Sequence, residues 1–288
     1  MSISGQNLSV VIVTLKSEKV INKCIDSIGQ NVPIIVVENS SNQKFKHDLE
    51  SRYQNLKCIL SGSNLGMGAG NNAGIKKANT DYVFILNPDV TLESNTLDEI
   101  FLASKKLPEF TILSPINADI NFPKYKTKKI PKGENTPFQV DYVDGFSMLL
   151  NKNKFNDDIY FDENFFLYLE NNDLCIRVKR AGESVYIVPT AKINHGGSKA
   201  VDTKYKDEVE LSRNWHWVWS KFYFNKKNFG FFKAMIECLP TYISSILKFL
   251  FYSLMNSDFK KKIHLNRASG FYNALMGKSS WYRPKIDN

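Results

Sequence analysis

The sequence has few cysteines and no pairing pattern among them. Its four cysteines, Cys24, Cys58, Cys175 and Cys238, are scattered over 288 residues, without the paired spacing of a disulfide scaffold or a zinc site. We therefore expect reduced thiols and a cytosolic location. The N-terminus MSISGQNLSVVIVTL lacks the basic start and the long apolar run of a signal peptide, so it predicts no export.

Positive charge is unevenly distributed along the chain, whose formal net charge is +9. Residues 1–198 contain 22 Lys and Arg against 22 Asp and Glu, whereas residues 199–288 contain 16 against 7. The four tryptophans, Trp215, Trp217, Trp219 and Trp281, also lie in this last segment. A basic, aromatic-rich segment on a neutral body predicts an anionic partner, either a membrane surface or a polyanion.

Short apolar runs alternate with amphipathic stretches between residues 8 and 119. The runs LSVVIVTL, VPIIVVEN, LKCILS, DYVFILNPD and FTILSP predict strands, and SEKVINKCIDSI and TLDEIFLASKKL predict helices between them. This alternation is typical of a parallel α/β sheet with a Rossmann-like, nucleotide-binding half. A Lys- and Pro-rich loop is expected at 121–137, after which DYVDGFSMLL predicts another strand.

Polar residues close several of the predicted strands. Thr14, Glu38-Asn39 and Asn87-Pro88-Asp89 stand at these ends, where open α/β sheets bind their ligands. Asp89 suits a divalent cation beside a diphosphate, because hard cations prefer carboxylate oxygens. On local grounds alone, turn and cap chemistry explains the same residues.

The segment 161–198 combines carboxylates, a predicted helix, a strand and a histidine. Glu170 and Asp173 are three residues apart at the predicted start of the helix, so they share a face and lie where the helix dipole favours carboxylates. His195 follows the strand-like SVYIVPTA. The alternatives are that the carboxylates only cap the helix and that the histidine is structural.

Together these motifs resemble those of family 2 inverting glycosyltransferases, which use sugar nucleotides. Within that family they are most similar to bacterial rhamnosyltransferases of O-antigen and capsule synthesis, through ILNPDV, NLGMGAGNNAG and ENNDLCIR. The resemblance implies a GT-A fold over residues 1–198, with a mostly parallel central sheet and flanking helices. Residues 8–119 would form the nucleotide-binding half, 120–198 the acceptor and catalytic half, and 199–288 a helical extension.

The resemblance also implies site residues and a cofactor, Mg²⁺ or Mn²⁺. Asp89 and His195 would contact the metal or the diphosphate. Asn171 stands where the family has its presumed base, an aspartate; because an amide cannot usefully accept a proton, we expect Glu170 to replace it, with Asp173 on the same face as the other possibility. With the strand ends, the expected donor-binding residues are Thr14, Glu38, Asn39, Asn64, Gly66, Asn71, Asn72, Asn87, Asp144 and Gly145.

The chain departs from the family pattern at three places. Glu38 replaces an aspartate, Asn87-Pro88-Asp89 replaces Asp-x-Asp, and Asn171 leaves weak or lost activity open. The expected reaction is inverting transfer of L-rhamnose from dTDP-L-rhamnose to a glycan or a lipid-linked acceptor. One rival is a sugar nucleotidyltransferase, although the basic glycine-rich loop typical of that class is absent after the first strand. The other rival is a non-catalytic nucleotide-sugar or glycan-binding protein.

The basic tail contains a long apolar stretch at 234–255. Glu237, Pro240 and Lys248 interrupt it, which disfavours a transmembrane helix. Its basic and aromatic flanks predict helices in the membrane interface and a peripheral location on the inner face of the cytoplasmic membrane. The alternative is that the tail packs on the catalytic domain or on a second copy in a homodimer. No nucleic-acid-binding motif accompanies it, so we expect no nucleic-acid partner.

Overall fold

A nine-stranded mixed sheet forms the centre of the described part of the chain. The structure, a computed structural model, describes residues 7–119, 135–155, 159–195 and 200–286. Most of the predicted loop at 121–137, and Gly196-Gly197, lie outside these residues. The strands are β1 Leu8–Thr14, β2 Ile34–Glu38, β3 Leu56–Leu60, β4 Tyr82–Leu86, β5 Val90–Leu92, β6 Ile112–Asn117, β7 Phe138–Gln139, β8 Ser147–Asn151 and β9 Val185–His195. The α-helices are α1 Ile21–Ile28, α2 Gln43–Arg52, α3 Gly66–Lys77, α4 Thr96–Lys106, α5 Glu170–Arg180, α6 Lys206–Phe229, α7 Phe231–Leu254 and α8 Asp258–Leu275.

The strand order places the ends of the early strands together. The strands β3, β2, β1 and β4 are neighbours in that order and parallel. The sheet continues through β8, which is antiparallel to β4, and then through β6, β9 and β5. The carboxyl ends of β1, β2 and β4 therefore meet at one edge. The predicted fold class, a GT-A-like α/β sheet followed by C-terminal helices, is confirmed.

Both faces of the sheet are covered by helices and buried. Since successive residues of a strand point to opposite sides, neighbouring residues of one strand enter different cores. Val10 and Ile12 of β1 pack in a core with α1, α2 and α4, whereas Val11 packs in a second core with α3 and α5. Helix α3 approaches β1 closely at Gly74, where a Cβ atom would lie 2.4 Å from Cγ1 of Val11. The apolar runs of the sequence thus specify strands that are covered on both faces.

The tail helices α6, α7 and α8 have an apolar core of their own. Trp215, Trp219, Phe222, Cys238 and Phe271 are buried in it. Helices α6 and α8 meet closely because residue 270 is a glycine, since a Cβ there would lie 2.3 Å from the Trp215 carbonyl oxygen. The first two of these residues belong to the four tryptophans of the basic segment, and in the structure they are core residues of the tail.

Polar contacts join the tail to the rest of the chain. The Ser220 hydroxyl donates to the Leu167 carbonyl (2.7 Å), and the Ser280 hydroxyl donates to the Asn164 carbonyl (2.7 Å). Lys227 of α6 forms ion pairs with Asp162 (2.7 Å) and with Asp173 (2.8 Å) of α5. Packing of the tail on the preceding residues is therefore observed, while its contact with a membrane stays a prediction.

Helix α7 presents an apolar face that no other described residue covers. By length and composition it is the one helix of the described ranges that is apolar enough to cross a membrane. Its most apolar 18-residue stretch has a mean hydropathy of 1.3, and 17% of that stretch is buried. Its Pro240 lies inside the helix, and its Glu237 pairs with Lys221 and Lys233. The exposed stripe on α7 comprises Ile236, Leu239, Ile243, Leu247, Leu250 and Leu254.

Candidate active site

A pocket of about 520 Å³ opens at the carboxyl ends of the parallel strands. Its lining includes the ends of β1, β2, β4 and β9, the start of α3, the segments 142–146 and 166–172, and one face of α6. The predicted site residues that line it are Thr14, Asn39, Asn64, Gly66, Asn87, Asp89, Asp144, Gly145, Glu170, Asn171 and His195. Glu38, Asn71, Asn72 and Asp173 are not among the lining residues.

Asp89 and His195 come together through strand pairing. Val90 of β5 pairs with His195 of β9, so the preceding residue, Asp89, lies beside the imidazole, with 3.3 Å between Oδ1 and Nε2. The imidazole also stacks on the Phe146 ring, with 4.4 Å between ring centroids. Burial raises the pKa of the nearby Asp144 to about 6, and the charge of His195 lowers it in part.

These residues fit an open cation site. Among the described residues no group of three or more His, Cys, Asp or Glu is arranged to hold a metal ion. The Oδ1 atom of Asn87, two residues before Asp89, is buried and accepts no hydrogen bond from the described residues. Mg²⁺ is commonly held by one or two carboxylates, with water and substrate phosphates completing its octahedron. Asp89, with His195 and Asn87, offers the protein part of such a site.

Glu170 projects a buried carboxylate into the pocket from the first turn of α5. The two residues before it, Tyr168 and Leu169, have φ values of 71° and 68°, which are strained for residues other than glycine. The Oε2 atom of Glu170 is buried and has no hydrogen-bond partner among the described residues. Burial raises the pKa of Glu170 to about 7, and a hydrogen bond from its own backbone N–H lowers it in part. Glu170 can therefore accept a proton near neutral pH.

Asn171 is bonded to the wall of the pocket. Its side-chain Nδ2 donates to the Val143 carbonyl at 2.7 Å, next to Asp144 and Gly145. A Cβ atom at Gly145 would lie 3.2 Å from the Cβ of Asn171, so the two segments touch closely. An aspartate at 171 would have no donor for the Val143 carbonyl, and the geometry thus gives the amide a positioning role.

Another part of the pocket wall is built around Gly66, the first residue of α3. Gly66 has a φ of 79°, and a Cβ there would lie 2.2 Å from the Phe166 carbonyl oxygen, so only glycine fits. Asn39 donates to the Gly66 carbonyl at 3.1 Å, and Asn64 Oδ1 accepts from the Gly66 N–H at 3.1 Å. The Thr14 hydroxyl contacts the Val37 carbonyl at 3.4 Å. These side chains hold the strand ends and the start of α3 around the pocket.

The predicted donor residues that do not line the pocket are buried beside it. Glu38 accepts from the Ser40 hydroxyl at 2.6 Å and from the Asn42 N–H at 2.7 Å, which holds the turn that begins α2. Asn72 exchanges hydrogen bonds with the backbone of Phe161, at 2.8 and 2.9 Å. Asn71 is buried as well, and its Oδ1 has no partner among the described residues.

Asp173 is fully buried and its carboxylate is satisfied by the protein. It pairs with Arg177 at 3.1 Å and with Lys227 at 2.8 Å, and Asn228 donates to its other oxygen at 3.1 Å. A carboxylate with three such partners is poorly suited to take a proton from a substrate. In this arrangement Asp173 fixes α5 against α6.

Comparison with known proteins identifies the family of the chain. Residues 9–170, more than half of the chain, match the sequence pattern of glycosyl transferase family 2. The chain belongs to this family.

Two relatives and one solved structure illustrate the similarity. The low-salt glycan biosynthesis hexosyltransferase Agl10 of Haloferax volcanii is 26% identical over 228 residues, which cover 72% of this chain and 69% of Agl10. The N-acetylglucosaminyl-diphospho-decaprenol L-rhamnosyltransferase of Mycobacterium tuberculosis is 23% identical over 231 residues, covering 65% and 75%. The mannosyltransferase PcManGT of Pyrobaculum calidifontis, solved with GDP-Man and Mn²⁺, has a TM-score of 0.57 and 12% identity, covering 95% and 88%.

Part of this family 2 pocket was not predicted from the sequence. Helix α6 contributes Val209, Ser212, Arg213 and Trp217, and Pro284 follows from the end of the tail. The three- and four-residue steps among the α6 positions place them on one helix face. That spacing could have indicated a shared face, but not which surface the face would cover.

We expect Glu170→Gln to raise the melting temperature of this glycosyltransferase increasingly as the pH rises from 5 to 8. Because the pKa of Glu170 is raised from 4.5 to about 7 in the fold, the stability it contributes is fully present below about pH 4.5 and is lost as the pH rises to about 7. Gln has no such loss. Thermal unfolding of both proteins across this range is the measurement.

The exposed Asp98 of α4 offers the matched control. The Asp98→Asn variant should show no difference from the wild type that grows over the same pH interval. A constant difference between Glu170→Gln and the wild type from pH 5 to 8 would contradict the buried-carboxylate interpretation.

Proposed function

We propose that this family 2 glycosyltransferase transfers L-rhamnose from dTDP-L-rhamnose, with inversion, to a glycan or polyprenyl-diphosphate-linked acceptor of a surface polysaccharide. The observation that carries the proposal is the pocket itself, which combines the unpartnered carboxylate oxygen of Glu170 with the Asp89–His195 pair. The relatives include a hexosyltransferase and an N-acetylglucosaminyl-diphospho-decaprenol L-rhamnosyltransferase, which supports the class of sugar and of acceptor.

Glu170 is the proposed general base. Its Oε2 takes the proton of the acceptor hydroxyl while that oxygen forms a bond to the anomeric carbon of the sugar. The bond between the anomeric carbon and the diphosphate oxygen breaks at the same time, and the nucleoside diphosphate leaves from the opposite side. Attack and departure on opposite sides invert the anomeric centre. Asp173 has a positioning role in this proposal, because its carboxylate is already held by three side chains of the protein.

Mg²⁺ or Mn²⁺ is the proposed cofactor, held by Asp89, His195 and Asn87. The Mn²⁺ in the PcManGT structure supports a divalent cation for this fold. When bound, such a cation neutralises the negative charge that develops on the leaving diphosphate. Thr14, Asn39, Asn64 and Gly66 are the proposed wall for the nucleotide, and Asp144 and Gly145 are the proposed wall for the sugar.

One observation favours a second function, binding of a nucleotide sugar without transfer. The amide of Asn171 stands where the family has an aspartate, and its hydrogen bond to Val143 serves the pocket wall. A protein that had lost its base would retain the donor walls and the fold. Turnover decides between the two functions.

We expect Glu170→Gln to lower the single-turnover rate by about a hundredfold or more, with little change in dTDP affinity, because the amide cannot accept the proton. In the wild type the rate should rise with pH through about 7, as the carboxyl group ionises. Release of dTDP from dTDP-L-rhamnose in rapid-quench experiments is the measurement. Asp173→Asn is the matched variant, whose loss of rate should be smaller and follow its loss of stability.

A greater loss of rate in Asp173→Asn than in Glu170→Gln would mean that Glu170 is not the base. If the wild type neither transfers nor hydrolyses any nucleotide sugar in a donor panel but binds one of them, the non-catalytic function is supported instead.

We expect Asp89→Ala to abolish the Mn²⁺-dependent part of dTDP binding, since it removes a carboxylate at the proposed cation site. Calorimetric titration of dTDP with Mn²⁺ and with EDTA measures this part directly, without turnover. Asp98→Ala, which changes an exposed carboxylate on α4, is the control. Unchanged Mn²⁺ dependence in a folded Asp89→Ala protein would contradict the proposed ligand.

The proposed location is the cytoplasmic face of a membrane, to which the tail binds peripherally. The exposed stripe on α7 would enter the acyl boundary, and Lys260-Lys261-Lys262 at the start of α8 would face anionic headgroups, at about 1 kcal/mol for each lysine near the surface. The polar residues Glu237 and Lys248 and the proline Pro240 lie within α7. They fit a helix that lies in the membrane interface better than one that spans the membrane. A homodimer stays a prediction.

We expect the double variant Ile243→Glu/Leu247→Glu to reduce binding to anionic vesicles by more than tenfold, because both side chains belong to the exposed stripe. Leu102→Glu changes an equally exposed leucine on α4 and should bind as the wild type does. Co-sedimentation with phosphatidylcholine vesicles, with and without phosphatidylglycerol, measures the binding. Equal binding of all three proteins would reject the membrane role of α7.

A further inference from the structure

Helix α6 forms a wall of the active-site pocket, although it lies outside the segment that matches the family. Three contacts fix it against the segment before Glu170. The His216 ring stacks on Phe166 (4.5 Å between centroids), the Trp217 ring meets Tyr168 edge-on (5.5 Å), and Ser220 donates to the Leu167 carbonyl (2.7 Å). These contacts hold the pocket-lining face of α6 against the segment 166–168.

The lining of the pocket has an unusual balance of charge. Of the described residues that line it, Asp89, Asp144 and Glu170 carry carboxylates, whereas Arg213 is the only lysine or arginine. His195 adds a positive charge only when it is protonated. A sugar nucleotide brings further negative charge in its diphosphate, so a permanent cation in this lining has an evident use.

The guanidinium of Arg213 is available for a ligand. The residue is half-buried, and it forms no ion pair with any of the residues that the structure describes. Arg283, which lies over the Phe166 ring at 3.8 Å, is different, because its guanidinium donates to the Ser280 and Tyr282 carbonyls. Arginine suits phosphate because its planar fork can donate two parallel hydrogen bonds.

Arg213 lies on the side of the pocket where Glu170 lies, because Trp217, four residues after Arg213 on α6, contacts the Tyr168 ring two residues before Glu170. Burial raises the pKa of the Tyr168 hydroxyl to about 12, the charge of Arg213 lowers it in part, and Glu210 and Glu170 raise it. Both Arg213 and Glu170 are thus close enough to Tyr168 to act on it. The edge of the Trp217 ring on Tyr168 completes this part of the wall.

We propose that Arg213 binds a diphosphate group of a substrate in the active-site pocket, so that the tail supplies part of the substrate site. The inference rests on the proposed function for the identity of the substrates. Two sources supply the same chemistry, the nucleoside diphosphate of the donor and the diphosphate of a lipid-linked acceptor. Loss of the guanidinium should weaken whichever substrate carries that diphosphate and spare ligands that lack it.

The first experiment measures the donor source on the full-length chain without turnover. Calorimetry with dTDP in the presence of Mn²⁺ compares the wild type with Arg213→Gln, Arg213→Lys and the control Lys226→Gln, which removes an exposed cation of the same helix. If the donor is the source, Arg213→Gln should bind dTDP ten- to a hundredfold more weakly, Arg213→Lys should recover part of that loss, and thymidine and the control should be unaffected.

The second experiment measures the acceptor source in the same four proteins. It compares KM for a short polyprenyl-diphosphate-linked N-acetylglucosamine with KM for the octyl glycoside of the same sugar, which has no phosphate. If the acceptor is the source, Arg213→Gln should raise only the first KM, by tenfold or more, and leave dTDP binding unchanged.

The inference is overturned if Arg213→Gln matches the wild type in both experiments, or if Lys226→Gln loses as much as Arg213→Gln does. Far-ultraviolet circular dichroism and thermal unfolding check that each variant is folded, and the partial recovery in Arg213→Lys separates charge from packing. A wild-type protein that binds dTDP through Arg213 but transfers no sugar would support this inference and refute the proposed function. Transfer with wild-type constants in Arg213→Gln would refute only the inference.

Discussion

The arrangement of the pocket depends on the ion pairs and hydrogen bond of the buried Asp173 carboxylate. A charge without solvent is costly unless it is paired and hydrogen-bonded, and Asp173 obtains its partners from its own helix, through Arg177, and from the tail, through Lys227 and Asn228. Lys227 also pairs with Asp162, in the segment that leads to α5. One network therefore fixes the approach to α5, the helix itself and α6, which are three parts of the pocket wall.

Strain next to Glu170 follows from the same docking. Tyr168 and Leu169 both have positive φ values, a conformation that persists only where the surroundings impose it. Here the surroundings are contacts with α6, from Ser220 to the Leu167 carbonyl and from Trp217 to the Tyr168 ring. The turn they enforce lets α5 begin at Glu170, with one carboxylate oxygen buried and unpartnered at the pocket. The raised pKa of this carboxyl group is a consequence of that burial.

Much of the fold could be predicted because its signals are local. The burial of β1, β2 and β4 on both faces appears directly in nearly continuous apolar runs such as LSVVIVTL and VPIIVVEN, and the strand-end rule places Thr14, Asn39 and Asp89 at one edge. Residue roles were harder, because their partners are distant in the chain. Asn72 bonds to Phe161, 89 residues away, and Asp173 bonds to Lys227, 54 residues away. No local pattern distinguishes a carboxylate that will meet a lysine of the tail from one that will face the pocket.

The contacts of the tail were also not predictable from the sequence, for a physical reason. Its basic and aromatic composition predicted an anionic partner. Composition does not show which face of a helix each residue occupies, and different faces of α6 contact different neighbours. Trp215 and Trp219 enter the tail core while Arg213 and Trp217 line the pocket. Helix α7 packs on α6 through Ala234 and Cys238 and leaves its apolar stripe outside. Because α6 lies against both the pocket and α7, a surface that held α7 would also fix the direction in which the pocket opens. In the proposed function, a lipid-linked acceptor anchored in that surface would meet a pocket whose wall, α6, packs against the proposed membrane-binding helix α7.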